Sequence, residues 1–262
     1  MVDQIKIILI NTTHPGNIGA VARAMKNMGF KHLCLVSPKI FPSTEANARA
    51  AGAEDILTMA KVVATIDEAL ADCHWVFGLS ARVRKIALPI LTVRNAAEKI
   101  TNRLFETPEL KIALVFGQEQ SGLLNEELAK CHYQINIPAN PEYSSLNLAQ
   151  AVQIVAYELR MAILSLNLDL KSPIDFEKAR NSADNKGKEI EESRDEDELA
   201  TMAEVERFYR HLEDTLVHIH FLDLKSPGYL MRHLRRLYAK SRLTKIELNI
   251  LHGILTAVEK GV

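Results

Sequence analysis

Residues Ile137–Tyr157, IPANPEYSSLNLAQAVQIVAY, decide how the rest of the chain is read. The segment starts as the end of a strand, Tyr133 to Ile137. It passes through a polar loop containing Pro138 and Pro141, then enters a helix running to about Leu166 with apolar residues at helical spacing. Ser144 or Ser145 can cap that helix, since a side-chain oxygen there accepts a free backbone N–H of the first turn. Taken alone, this is a strand-to-helix connection. Small polar residues against a helix N-terminus are also a place to hold a ligand, and the neighbouring segments decide between the two.

Outward from that stretch, apolar and β-branched runs predict strands at Ile5–Ile10, His32–Val36, Lys61–Thr65, His74–Leu79 and Lys111–Phe116. Between them lie helical patterns: one that Asn17 can cap and Gly29 ends, then Thr44–Gly52, Ile66–Ala71, Thr92–Phe105 and Asn125–Lys130. Strands alternating with helices predict an α/β fold with a mostly parallel sheet of about five or six strands. Such sheets bind ligands beyond the carboxyl ends of their strands. Four strands run into unusual loops, Asn11–Gly16, Leu79–Arg82, Gly117–Gly122 and Pro138–Ser145, and the last three can close on one pocket.

The pattern stops at Asp169. The run KARNSADNKGKEIEESRDEDE is polar, charged and poor in large apolar residues, and reads as a linker. Three helical patterns follow, Glu198–Ile219, Gly228–Lys240 and Thr244–Lys260, the last with Ile246, Ile250, Ile254 and Val258 at spacing four. They predict a small all-α extension that docks on the main domain or on a partner subunit.

The 262 residues are 47% hydrophobic and 25% charged with a net charge of -1, so overall charge points to no partner. Locally it does. Residues 225–245 hold Lys225, Arg232, Arg235, Arg236, Lys240, Arg242 and Lys245 with no acid, beside Tyr229 and Tyr238. Such a cluster is either a solvated face or a phosphate-backbone contact. Cys34, Cys73 and Cys131 are widely spaced and form no C-x-x-C pair, against a disulfide framework or zinc site and in favour of a reducing compartment. The N-terminus does not read as a signal peptide, and no apolar run is long enough to span a bilayer, so a cytoplasmic setting is expected. The phosphate-binding G-x-x-x-x-G-K-[ST], the dinucleotide G-x-G-x-x-G after the first strand, the G-x-S-x-G elbow and H-E-x-x-H are all missing.

Three segments remain: NTTHPGNIGAVARAMKNMGF (Asn11–Phe30), LVFGQEQSGL (Leu114–Leu123) and IPANPEYSSLNLAQAV (Ile137–Val152). In this order they resemble the SPOUT class of RNA methyltransferases, and within it the bacterial tRNA ribose 2′-O-methyltransferases. The likeness covers about Ile5–Ile163 and extends to the helical tail. It implies a C-terminal trefoil (α/β) knot, an exception to the rule that chains do not knot. It also implies S-adenosylmethionine as methyl donor, a homodimer, and no metal. Residues 1–167 would be the catalytic domain, 168–197 a linker and 198–262 a tRNA-binding extension. The implied reaction methylates the ribose 2′-OH of the pyrimidine at position 32 of the tRNA anticodon loop.

Carried over by position, the donor loops are Leu79, Ser80 and Ala81; Gly117, Glu119 and Gly122; and Ile137, Ser144, Ser145, Leu146 and Asn147. Gly117 and Gly122 are expected to let backbone approach the donor and to permit positive φ. Leu79, Ile137 and Leu146 are expected against the adenine faces. Glu119 either holds its loop, through backbone N–H groups or the partner subunit, or is a capping carboxylate.

The first loop is given a separate job. Asn17 and Arg23 match the family's N-x-G-x-x-x-R pattern on the catalytic side, with Ser145 also catalytic, and Arg23 contacts RNA alongside Arg232, Arg235, Arg236, Lys240 and Arg242. Arginine stays protonated, so Arg23 is expected to grip the target phosphate and polarise the 2′-OH, with the proton lost to phosphate or water. A deprotonated Arg23 acting as base stays open. Asn11 stands where family members carry Asn or Glu, and His14 lies outside the matched positions. Two rival readings are a methyltransferase for another tRNA or ribosomal RNA site, and an inactive RNA-binding protein on the same scaffold. The intact Asn17, Arg23, Gly117, Glu119, Ser145 and Asn147 speak against the second.

Overall fold

The computed structural model describes residues 1–81, 88–169, 198–224 and 229–261. Arg82, Lys225 and the expected linker from residue 170 onward lie outside the described residues. The chain divides into two compact units, Met1–Ala183 and Asp184–Val262.

The first unit is built on seven strands: β1 Ile5–Ile10, β2 His32–Val36, β3 Lys61–Val63, β4 Trp75–Leu79, β5 Ile90–Thr92, β6 Ile112–Phe116 and β7 Tyr133–Asn136. Their order in the sheet is β3-β2-β1-β6-β4-β7-β5, and every pairing is parallel. The central strand β6 is apolar throughout and buried throughout, as expected for a strand covered on both faces. Burying each of Ile112, Leu114, Val115 and Phe116 contributes about 1.5–3 kcal/mol. The helices are α1 Pro15–Met28, α2 Thr44–Ala50, α3 Glu54–Thr58, α4 Ile66–Leu70, α5 Val93–Glu106, α6 Asn125–Leu128 and α7 Leu148–Asp169.

The α/β class is as read from the sequence; several details differ. β5 and α3 were not foreseen. β5 is a three-residue edge strand, too short to show a period. Thr92 does not open the helix but caps it, its hydroxyl accepting from Asn95 N at 3.3 Å. Nor does Asn17 cap α1. That helix starts at Pro15, whose missing N–H costs nothing in a first turn, and His14 is the flanking residue. Ser144 and Ser145 do not cap α7; Asn147 does, its Oδ1 accepting from Ala149 N at 2.9 Å. All three cysteines are buried and free. Desolvation pushes the thiols of Cys73 and Cys131 up to about 12, which leaves them inert as nucleophiles. No helix among the described residues is long and apolar enough to cross a membrane.

The second unit contains α8 Met202–His218, α9 Leu230–Ser241 and α10 Lys245–Gly261. Thr201 and Glu204 form a reciprocal cap at the start of α8. A core of Ala200, Phe208, Tyr209, Leu212, Leu243 and Leu248 holds the helices together. The stripe Ile246, Ile250, Ile254 and Val258 is exposed, while Leu248, Leu251 and Leu255 of the same helix meet the core.

Between α8 and α10, the rings of His211 and His252 stack with Nδ1 atoms 2.7 Å apart, a distance that requires one proton between them. His211 Nε2 faces Glu259 Oε1 at 3.3 Å, and Thr215 Oγ1 donates to the same oxygen at 2.6 Å. Burial, then the neighbouring His211 and Arg207, hold His252 below the ordinary histidine value of 6.5. The neutral form is therefore favoured in the fold, and this contribution to stability is present above pH 6.5 and lost as pH falls through the lowered value. The thermal midpoint of the full chain is expected to drop from pH 7 toward about pH 5, and His252→Gln is expected to flatten that drop. Parallel midpoint-against-pH curves for the two proteins would rule out this coupling.

Candidate functional site

Strands β1, β6, β4 and β7 are neighbours in the sheet and point the same way. The four loops singled out in the sequence leave their carboxyl ends and meet on one side. Three of them, the loops after β4, β6 and β7, enclose a cleft of about 220 Å³. Leu79, Ser80, Ala81, Gly117, Glu119, Gly122, Ile137, Ser144, Ser145 and Leu146 all line it, whereas Asn147, Asn17 and Arg23 do not. Gln118, Ser121, Leu148 and Ala151 also line it and carried no sequence signal of their own.

Each loop has a local reason for its shape. Gly117 is packed onto the backbone of Gly122 and Leu123, so closely that a Cβ would collide with it. The loop thus closes on itself, with Gly122 N–H donating to Gln118 O at 2.8 Å. Gly117 is therefore needed for this self-contact rather than for positive φ; Gly122 is the residue with positive φ, at 65°. The Leu79–Ala81 loop is held from β7. Asn136 Nδ2 donates to the carbonyls of Ser80 and Ala81, and the buried Gln134 donates to Ser80 O, all at 3.3 Å. Ser144 and Ser145 are exposed at the cleft and make no hydrogen bond among the described residues.

Glu119 joins the loops. Its carboxylate accepts from Thr13 N at 3.0 Å, Thr13 Oγ1 at 2.9 Å, His14 N at 3.2 Å and Asn17 Nδ2 at 3.0 Å. Asn17 Oδ1 in turn accepts from Asn147 Nδ2 at 3.0 Å. One chain of hydrogen bonds therefore runs from the α1 N-terminus through the β6 loop to the cap of α7. The Asn11–Gly16 loop is not separate from the cleft, as its sequence suggested, but tied to the cleft wall. Burial raises the Glu119 carboxyl, but the hydrogen bonds from Asn17, Thr13 and His14 outweigh it and hold the group below the ordinary carboxylate range. It remains an acceptor at neutral pH. Thr13 was missed because its partner lies 106 residues away.

Arg23 is exposed on α1, two turns beyond this network, and makes no hydrogen bond or ion pair among the described residues. In the helical unit, Arg232, Arg236 and Lys240 recur at spacing four on α9 and are exposed without an ion pair among the described residues. Arg235 departs from the sequence expectation. It forms a two-pronged pair with Glu206 at 2.6 and 2.7 Å and lies 4.5 Å from the Tyr209 ring centre, so its guanidinium is committed to holding α9 on α8. Arg242 ends α9 in the left-handed region at φ 50°.

A parallel α/β sheet whose strand-end loops lock into one cleft is the frame of a SPOUT-type methyltransferase. The chain belongs to the SpoU rRNA Methylase family, whose profile matches residues 4–157. Residues 203–262 match a second profile, the C-terminal domain of the tRNA methyltransferase TrmJ. Relatives span the whole chain. It is 48% identical to the tRNA (cytidine/uridine/adenosine-2′-O-)-methyltransferase TrmJ of Pseudomonas aeruginosa (strain UCBPP-PA14), over 99% of this chain and 95% of that protein. It is 46% identical to the tRNA (cytidine/uridine-2′-O-)-methyltransferase TrmJ of Escherichia coli O6:K15:H31 (strain 536 / UPEC), over 99% and 97%. Among solved structures, TrmJ from Z. mobilis ZM4 superposes with a TM-score of 0.77 at 32% identity, covering 97% of this chain and 98% of that one. A probable methylase family protein from Haemophilus influenzae Rd KW20 gives 0.60 at 45% identity, covering 100% and 98%.

Proposed function

We propose that this chain methylates the ribose 2′-hydroxyl of the nucleotide at position 32 of the tRNA anticodon loop, with S-adenosylmethionine as donor. The observation that carries the reading is the hydrogen-bonded chain Glu119–Asn17–Asn147, which fixes the cleft against the helix bearing Arg23. The substrate class comes from the full-length relatives, both tRNA ribose methyltransferases by name. The pyrimidine specificity implied by the resemblance is widened by one of them, whose name adds adenosine, and adenosine at the same position is the second substrate proposed.

The cleft residues fit the donor. Leu79, Ile137 and Leu146 offer apolar walls for a flat heteroaromatic ring, with Ser144 and Ser145 exposed beside them. When bound, S-adenosylmethionine supplies a methyl group already activated by its sulfonium. What is left to the protein is alignment and handling of the hydroxyl proton. The Arg23 guanidinium grips the phosphate at the target nucleotide and donates to the 2′-oxygen as negative charge develops there. The proton passes to phosphate or water. Ser145, at the mouth of the cleft, orients the ribose. Asn17 and Asn147 hold α1 in register with the donor loops.

We also propose that residues 1–167 form the catalytic domain of a homodimer and that 168–197 link it to a tRNA-binding extension, 198–262. In that extension Arg232, Arg236 and Lys240 contact phosphates. Replacing all three by Ala is expected to weaken tRNA binding and to reduce the slope of log affinity against log salt by about two. An unchanged slope would remove them from the interface. The activity itself is tested by mapping ribose methylation in total tRNA and ribosomal RNA from a strain lacking the gene. The expected result is loss confined to tRNA position 32; intact methylation there, with loss at another site, would overturn the assignment.

A further inference from the structure

We infer that the α1–α2 face of the catalytic unit is an RNA-backbone contact, with Arg49 holding a phosphate close to the one held by Arg23; this rests on the tRNA reading above. Gly16, Gly19 and Arg23, at i, i+3 and i+7, share one side of α1. The two glycines let α2 lie against the helix backbone: a Cβ at Gly19 would run into the Ala46 carbonyl and stand 2.9 Å from Arg49 Cβ. A Cβ at Gly16 would stand 3.5 Å from Arg49 Cγ. The Cβ–Cγ stem of Arg49 therefore lies along α1 between Gly19 and Gly16, near the end of the helix braced by Glu119.

Arg49 is exposed and makes no hydrogen bond or ion pair among the described residues, as is true of Arg23. Several other cations of this unit are matched: Lys6 and Lys111 with Asp72, Lys26 with Asp55, Arg94 with Glu158 and Lys130 with Asp67. Glu45, one turn before Arg49 on α2, places Oε1 over Gly16 yet forms no ion pair with it. Lys39 adds a second exposed cation on the loop leading to α2, and its backbone N–H donates to Thr12 O at 3.0 Å, at the foot of α1.

Seven residues of helix separate Gly16 from Arg23, about 10 Å along the axis. That is about three stacked nucleotides of one strand. A strand whose target ribose lies at the cleft, with one phosphate on Arg23, thus passes Arg49 while still within the same loop of RNA. Such contacts set where the strand lies without reading its bases.

The test measures binding of an unmodified tRNA transcript over a salt series, together with steady-state methyl transfer, for the wild type, Arg49→Gln, Arg49→Lys and a control, Lys61→Gln. Lys61 opens β3, at the end of the sheet away from the loops. Arg49→Gln, which keeps most of the stem, is expected to weaken tRNA binding about fivefold and to lower the salt slope by about 0.7–0.9. It is expected to raise KM for tRNA in proportion, while kcat and donor affinity stay within about twofold. Arg49→Lys keeps the charge and is expected to stay near wild type, as is Lys61→Gln. If wild type binds tRNA and Arg49→Gln matches it in affinity and slope, the inference is wrong while the functional reading stands. If donor affinity falls along with tRNA affinity, Arg49 is a packing residue and the inference is also wrong. A wild type that binds no tRNA overturns both.

Discussion

Arg23→Ala is expected to lower methyl transfer by about two to four orders of magnitude while S-adenosylmethionine binds as in the wild type. The separation of the two effects follows from where Arg23 sits. It is exposed, it bonds to no other described residue, and it is not part of the cleft wall. Alanine is a good helix former, so the fold is expected to change by no more than about 0.5 kcal/mol. A guanidinium without a partner among the described residues is also the one whose charge and five donors are available to an incoming phosphate and hydroxyl. Its loss should therefore appear mainly in kcat at saturating tRNA, with a smaller rise in KM from the lost phosphate contact. Arg23→Lys separates charge from geometry: an ammonium attracts the phosphate but lacks the planar fork that reaches two oxygens together. The expected order of turnover is wild type, then Lys, then Ala. Titration calorimetry with the donor and single-turnover transfer on a tRNA transcript measure the two quantities. Wild-type turnover in Arg23→Ala would remove Arg23 from the chemistry.

That arginine was singled out in the sequence by its motif alone, whereas the sheet was legible because β6 is a five-residue apolar run whose burial needs no partner to be guessed. The loops at the strand ends were legible for the same reason: a parallel sheet places all its carboxyl ends on one side. What joins the loops was not. Glu119 reaches Asn17 across 102 residues and Asn17 reaches Asn147 across 130, and no local pattern encodes such pairs. The cap of α7 was misread because Ser and Asn are nearly equal in that position, so propensity does not choose among Ser144, Ser145 and Asn147. Arg235 was grouped with Arg236 because charge density ignores direction. One residue of helix turns the side chain by about 100°, which takes Arg235 to Glu206 and leaves Arg236 in water.

Gly117→Ala is expected to abolish measurable donor binding, a loss of about a hundredfold or more, for a reason that concerns the loop and not the ligand. The added methyl would collide with the carbonyl group of Gly122 and the backbone nitrogen of Leu123. Those atoms belong to backbone and cannot swing aside as a flexible side chain does. Leu123 is fully buried, so the segment after the loop is pinned, and the strain falls on residues 118–122. Opening them breaks the bond from Gly122 N to Gln118 O. It also withdraws Glu119 from Thr13, His14 and Asn17, leaving donors at the α1 N-terminus without their carboxylate. Cleft shape and the brace to α1 are lost together. Gly122→Ala gives the contrast: its φ of 65° makes a side chain strained, yet a Cβ there meets no protein atom within 4 Å. Its cost to the fold is expected to be about 1–2 kcal/mol. Thermal midpoints of the two variants, with donor titrations, separate these mechanisms. Retained donor affinity in Gly117→Ala would mean that the loop tolerates opening, and the tight turn at Gly117 would then not be what shapes the site.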